Sequence, residues 1–414
     1  MTASAPVDAD ELRRIRRRTV GVLSLGQVLG GVAFGATISL GAILAADISG
    51  DDAFSGLATA LVTLGTAAIA VPLARLAHRR GRRLALATGM SVALLGVGVV
   101  IGAVSLRAFP LLLLGFALIG AGQAANLQSR FAAADLATDA SRGRDLSIVV
   151  WATTVGAVLG PNLVGPGQAL GDALGMPALT GPYVFTVVAQ VLAIGLYLVA
   201  LRPDPLLLAQ RIAAAPAGGA FARIARVDRP AAATYAIVAI AGAHAVMVAV
   251  MAMTPVHLTH HGASLEVVGL TISLHIAGMY ALSPVFGILA DRAGRVPTIL
   301  IGQALLAAAL LVAALGQESS LAVTIGLVLL GLGWSASTVA GSTLLVESSS
   351  EQLRTARQGR SDLTMSLVGG IGAILAGVVL GGIGYGGLAL LALIVVAGVA
   401  VLSPYARRGA AAPA

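Results

Sequence analysis

Gly287-Ile288-Leu289-Ala290-Asp291-Arg292-Ala293-Gly294-Arg295 is the stretch on which the fold turns. It lies between two long apolar runs. An earlier partner, Ala74-Arg75-Leu76-Ala77-His78-Arg79-Arg80-Gly81-Arg82-Arg83, occupies the same setting in the first half. The aligned glycines Gly81 and Gly294 lie 213 residues apart (294 − 81), about half of the 414-residue chain. A basic turn at the same place in both halves of an apolar chain points to a duplicated membrane protein. The repeat continues beyond the turn. Gly115, Gly120 and Gly122 match Gly326, Gly331 and Gly333; Gly143-Arg144 matches Gly359-Arg360; Gly156 and Gly160 match Gly372 and Ala376.

Hydrophobic residues make up 57% of the chain and charged residues 11%, against roughly 25% charged in a soluble domain. A soluble fold of this length cannot hide so much apolar surface, so lipid must solvate much of it. Cysteine is absent, which excludes disulfides, iron–sulfur clusters and a cysteine nucleophile. The formal charge of +8 rests on arginine alone among the strong bases. Its distribution, described next, argues for a membrane surface and against nucleic acid.

A membrane helix needs about 20 mainly apolar residues. Twelve such runs are expected, at roughly 20–46, 54–77, 84–106, 108–134, 145–169, 180–201, 230–254, 264–289, 297–316, 320–344, 361–384 and 386–404. With the N-terminus in the cytoplasm, 25 of the 26 arginines fall in inner segments and only Arg107 falls outside. The positive-inside rule therefore places both termini in the cytoplasm of a multi-pass protein of the cell membrane. The N-terminal arm and first run imitate a signal peptide, but the run is too long and eleven more follow, so an uncleaved helix is expected. The expected divisions are a cytoplasmic arm (1–19), a six-helix bundle (20–201), a cytoplasmic linker (202–229), a second six-helix bundle (230–404) and a cytoplasmic tail (405–414).

These residues resemble the major facilitator superfamily. Residues 287–295 are close to a full copy of its loop signature, G-x-L-A-D-R-x-G-R. The first copy keeps Leu76, Ala77, Arg79, Gly81, Arg82 and Arg83, but departs at Ala74 (Gly in the family) and His78 (Asp in the family). Gly156-Ala157-Val158-Leu159-Gly160-Pro161 is similar to the G-x-x-x-G-P signature of the 12-span drug:proton antiporter branch. Phe116 stands where those exporters usually carry an intramembrane arginine. The resemblance implies an all-α membrane fold of twelve transmembrane helices in two pseudo-symmetric bundles. It further implies proton-coupled export of a hydrophobic or amphiphilic small molecule by alternating access.

The same resemblance, with the pseudo-symmetry, assigns gating roles to His78, Arg79, Gly81, Asp291, Arg292, Gly294 and Arg295. Asp291 is expected at the positive N-terminal end of span 5. The first turn is expected to face span 11, where Asp362 opens the helix and pairs with His78 or Arg79. Gly156 and Gly160 share one helix face and Pro161 permits a kink, so span 5 is expected to be a close-packed, bendable helix at the domain interface.

Polar residues at membrane depth are functional candidates. Gln27, Gln123, Asn126, Gln190, Tyr280 and Trp334 form this set. Spans 1, 4, 7 and 10 line the pathway in the family, which favours Gln27, Asn126, His244 and Trp334. His244 and His275 fall near mid-bilayer, and Met279 shares a face with His275. No acid is expected at the centre of any span, which makes the two histidines the proton-carrier candidates. His257, His260 and His261 are read as solvated. With Met247, Met251 and Met253 they form a weak metal pattern, since span 7 separates the methionines in depth. The expected partners are a small solute, protons and lipid, with no metal, cofactor or enzymatic activity, and with the protein acting as a monomer. An importer of a small nutrient is the main rival. The sugar-porter signature is absent after span 6, where the chain reads Arg202-Pro203-Asp204-Pro205. A transport-inactive membrane sensor is a remoter one.

Overall fold

The computed structural model describes residues 9–50, 54, 57–214 and 228–407. Among the described residues the chain is helical, as lipid requires: a backbone in hydrocarbon must satisfy its N–H and C=O groups within its own segment. The first half comprises α1 (Ala9–Ser49), α2 (Leu57–Arg80), α3 (Arg82–Leu106), α4 (Phe109–Ala134), α5 (Arg142–Asn162), α6 (Val164–Ala173) and α7 (Tyr183–Ala200). A short helix, α8 (Pro205–Ala214), follows in the linker. The second half comprises α9 (Pro230–His260), α10 (Leu265–Tyr280), α11 (Ser283–Ala293), α12 (Arg295–Leu315), α13 (Ser320–Glu347) and α14 (Glu351–Val401). Nine helical segments among the described residues are long and apolar enough to cross a membrane.

The twelve expected crossings are recovered when breaks are read correctly. α5 and α6 form one crossing interrupted at Leu163, just after Pro161, which lacks a backbone donor. α10 and α11 form another, interrupted at Ala281 and Leu282. α14 contains two crossings. Gly384, at φ 73°, breaks it, and the chain then returns: Gly369 lies against His244 and Val399 against Gly242. The arginine-rich arm is not a separate segment, because α1 is continuous from Ala9 and carries it into the first crossing.

Two pseudo-symmetric bundles result. In the first, α1 packs on α5 and α7, and α4 on α2 and α3; in the second, α9 packs on α14, and α13 on α10 and α12. Small residues set these distances, because lipid removes the hydrophobic drive for helix association. A Cβ on Gly156 would lie 2.6 Å from the Gly31 Cα and 2.7 Å from the Val28 carbonyl oxygen. Gly156 thus seats α5 on α1 within its own bundle, while α5 also packs on α10 and α11 of the other. Gly160 is also buried; the side chain of Pro161 lies outside the described ones. Large apolar side chains such as Leu95, Leu315 and Val378 remain outward, as in any lipid-facing surface.

The linker is held at both ends. Asp204 accepts hydrogen bonds from the backbone N–H groups of Arg83 (2.8 Å), Leu206 (3.0 Å) and Leu207 (3.2 Å), so one carboxylate caps both α3 and α8. Leu208 and Ala209 of α8 pack with Leu136 and with Leu12 and Ile15 of α1. Asp228 receives both Arg357 nitrogens (2.6 and 2.8 Å) and the Ser350 N–H. Hydrogen bonding from Arg357 holds its carboxyl below the usual range.

Replacing Gly156 by Leu is expected to lower the thermal unfolding midpoint in detergent by several degrees, since overpacking costs about 1–3 kcal/mol. Gly165→Ala, where nothing lies within 4 Å of an added Cβ, is expected to leave the midpoint in place. Equal midpoints for the two variants would contradict the close α1–α5 contact.

Candidate functional site

At the arginine-rich end, each repeated turn reverses through a glycine with positive φ: 88° at Gly81 and 100° at Gly294. An L side chain there would be strained. The arginine after each glycine then points inward to an acid. Arg82 donates to both oxygens of Asp135 (2.8 and 3.3 Å), with both residues fully buried. Arg295 donates to both oxygens of Glu347 (2.7–3.2 Å). The two acids are 212 residues apart (347 − 135), matching the offset of the turns. That repeated spacing is the signal by which sequence reasoning could have found Asp135 and Glu347, and it was missed.

Asp291 accepts the backbone N–H groups of Gly143 and Arg144, each at 2.9 Å, at the N-terminal end of α5. The first orphan donors of a helix and its positive end favour a carboxylate there. Arg292 is exposed. Gly143 is needed for this approach, since its Cβ would lie 2.5 Å from the Gly287 carbonyl oxygen.

The first turn differs. α2 does pack on α14: a Cβ on Gly359 would lie 2.6 Å from the Ala74 Cβ. Yet His78 and Arg79 are exposed and do not meet Asp362, which corrects the expected pair. The reason is where the helices start. α14 begins at Glu351, so Gly359-Arg360 sit two turns inside a continuous helix with their N–H groups engaged. No helix end is presented to the first turn, and an acid at position 78 would have nothing to cap. For the same reason Asp362 does not open its helix. It lies three turns inside α14, fully buried, and accepts a 2.6 Å hydrogen bond from Nη2 of Arg130 on α4. Arg130, counted among the inner-segment arginines, is likewise buried, near the end of α4. Asp362 is therefore an acid buried near the arginine-rich end of its span, not at the span's centre.

Further cross-bundle contacts gather at this end. Arg82 donates to Gln358 Oε1 at 2.6 Å, Arg142 to Glu347 at 2.9 Å, Arg295 to the Asp139 carbonyl at 2.7 Å, and Ser283 to the Ser147 carbonyl at 3.1 Å. Together with the Asp291 and Asp362 contacts they hold the arginine-rich ends of the bundles closed.

Deeper in the molecule the candidates fall into groups. Gln123, Asn126 and Arg130 lie at i, i+3 and i+7 on α4 and share one face. Gly30, Phe34, Met90, Gln123, Asn126 and Gln190 are among the residues that line a small pocket of mixed character in the first bundle. The side-chain oxygens of Gln27, Asn126 and Gln190 have no partner among the described residues, although Gln27 donates to Thr153 at 3.2 Å. In the second bundle, Trp334 Nε1–H donates to His244 Nδ1 at 3.1 Å, which leaves the neutral ring's proton on Nε2. Tyr280 meets the Trp334 ring edge-on with centroids 5.7 Å apart. Tyr280 also packs against Leu146 and Val150 of α5, across the bundle interface. Arg130 lies within electrostatic reach of both His244 and Tyr280.

His275 is not brought to this group, whereas Met279 shares an apolar cluster with Trp334, against which Tyr280 packs. His275 is fully buried and its Nδ1 bonds the Leu327 carbonyl at 2.7 Å; Met279 sits in the core of the second bundle. His257 is buried rather than solvated. It bonds the Gln317 carbonyl at 2.7 Å and stacks on Tyr385 at 4.2 Å. His260 and His261 are exposed. No three His, Asp or Glu among the described residues are placed to hold a metal.

The Major Facilitator Superfamily model matches residues 23–265 and 236–413. YddS of Bacillus subtilis (strain 168), an uncharacterized MFS-type transporter, is 39% identical over 383 residues, covering 90% of this chain and 87% of that protein. The riboflavin transporter RfnT of Brucella anthropi is 29% identical over 360 residues, covering 84% of this chain and 85% of that protein. Among solved structures, the human organic anion transporter MFSD10 superposes with a TM-score of 0.72 at 16% identity, over 92% of this chain and 99% of that one. The proton:xylose symporter XylE gives 0.71 at 16% identity, over 93% and 95%. At such identity the structures speak for the fold alone. With its turn, its glycine packing and its arginine–acid pair each present twice, and with transporters as relatives over most of its length, this chain belongs to the major facilitator superfamily.

Proposed function

We propose that the protein is a secondary transporter that exports a hydrophobic or amphiphilic small molecule in exchange for protons. Access alternates as the two bundles rock. The arginine-rich end faces the cytoplasm, both termini lie there, and the state described is closed on that side. The observation that carries this reading is the aromatic set His244, Trp334 and Tyr280 of the second bundle, whose Tyr280 reaches Leu146 and Val150 of α5 in the first. Arg130 of α4 lies within electrostatic reach of the same set. Flat apolar faces with a few fixed hydrogen-bonding groups suit a planar amphiphile. Asp291, Gly143 and the Arg295–Glu347 pair act as the gate on the cytoplasmic side. Export is supported by the span 5 signature at Gly156 to Pro161.

A second reading is uptake of a planar nutrient. The likeness to RfnT favours it, and the same aromatic wall would serve a heteroaromatic ring.

The test is solute-stimulated proton movement in proteoliposomes across a panel of aromatic amphiphiles, riboflavin included. Proton movement opposite to solute flux supports export by exchange; flux of both in one direction supports uptake. Sodium-dependent transport would overturn both proton-coupled forms. Trp334→Ala is expected to raise KM about tenfold, the scale of one lost stacking contact of roughly 1.4 kcal/mol. His244→Ala is expected to raise KM as well, through the lost bond to Trp334, and His275→Ala to leave it unchanged. A His275→Ala defect as large as that of His244→Ala would refute the assignment of the site.

Asp291→Asn keeps the shape but removes the charge at the N-terminal end of α5. It is expected to weaken closure by about 0.3–1 kcal/mol, seen as a two- to fivefold rise in cytoplasmic-side labelling of a reporter cysteine. The same substitution's mirror, His78→Asp, is expected to change nothing.

A further inference from the structure

Three arginine–acid pairs lie at the arginine-rich end, and they are not alike. Arg82–Asp135 joins α3 and α4 of one bundle and uses both carboxylate oxygens. Glu347 is held by Arg295 of its own bundle as well as by Arg142 of the other. Arg130–Asp362 has neither safeguard. It runs from α4 to α14, between the bundles, through one hydrogen bond. Oδ2 of Asp362 and Nε of Arg130 are buried and without a partner among the described residues. A buried ion pair keeps its charges only through good geometry and further hydrogen bonds. Here the charge on Asp362 rests on a single contact that rocking would break.

The surroundings isolate that carboxylate. Arg82 is the next cation, placed beside α14 by its bond to Gln358, and Asp135 already engages it. His244 on α9 is committed to Trp334. α2, the other helix packed here, leaves Arg75, His78, Arg79 and Arg80 exposed.

We infer that Asp362 and Arg130 form a proton-released clasp between the bundles, and that Asp362, not a histidine, is the proton carrier. A proton from water adds to the Asp362 carboxylate. The neutral acid loses its Coulombic hold on Arg130, and the arginine-rich end opens. The proton then leaves to water on that side, and re-formation of the pair closes the end again. Low pH therefore favours opening, and high pH favours the clasped state. This inference deepens the proposed proton coupling and rests on the rocking motion, not on the identity of the solute.

The cysteine-free chain allows a direct test on the full-length protein in nanodiscs, with no solute present. Ser147, fully buried under the closed end, is replaced by Cys, and maleimide labelling is followed from pH 8.5 to 5.5. Rates are divided by those of Ser105→Cys, an exposed position at the opposite end, which removes the pH dependence of the thiol itself. The normalised rate is expected to rise as pH falls, approaching tenfold per unit while one proton is taken up. In the Asp362→Asn background it is expected to be high and flat, and Asp362→Glu is expected to restore the slope. His244→Gln is expected to keep the slope. A slope that persists in Asp362→Asn, or one that disappears in His244→Gln, would overturn the inference. If Ser147→Cys does not fold, Ser283→Cys on the facing helix serves as the reporter. Because no solute is used, failure here is distinguishable from failure of the proposed transport activity.

Discussion

The constraint behind this structure is that helices in lipid gain little by hiding apolar surface from one another. What holds them together is close approach and polar contact. Gly156 on Gly31, and Gly143 on Gly287, bring backbones so near that a methyl group would collide. The arginine–acid pairs at one end complete the attachment. Both devices come in duplicate because the chain is a duplication. Within each bundle the contacts are tight and numerous. Between the bundles the polar contacts described gather at one end, which is the arrangement a rocking pair requires.

Duplication does not make the halves equal. The same turn meets a helix start on one side and the middle of a helix on the other. Asp291 has two unpaired N–H groups to cap at the start of α5; His78 faces a helix that began two turns earlier, at Glu351. An acid in the first turn would find no helix start to cap. One cross-bundle contact is a carboxylate on a helix end, the other a buried ion pair further in.

Much of the fold was legible in the residues. Apolar run lengths, arginine placement and the repeated turn led to twelve crossings in two bundles, and the family relationship follows. The errors share a cause. Counting every charge toward the inner segments put Arg130 with the inner arginines, and hydropathy made Asp362 a helix start. Both are buried, each charge having the other as its partner. A pair separated by 232 residues leaves no local pattern in a single sequence. His244 and Trp334 were legible as polar groups at depth, but their mutual hydrogen bond was not. His275 had the same signal and a different fate, because a carbonyl of the neighbouring helix satisfies it. Periodicity separates buried from exposed; it does not separate a histidine that serves packing from one that faces a pathway.

The linker carries a consequence of its own. Asp204 and α8 bind its beginning to the first bundle, and Asp228 binds its end to the second. Each anchor belongs to the bundle it touches, so each half of the chain holds its own end of the linker in place. What covalent connection adds to two such halves is an effective concentration: each finds the other at a level that separate molecules in a membrane would not attain. A cut between the anchors would then cost encounter frequency more than it would cost the anchors themselves.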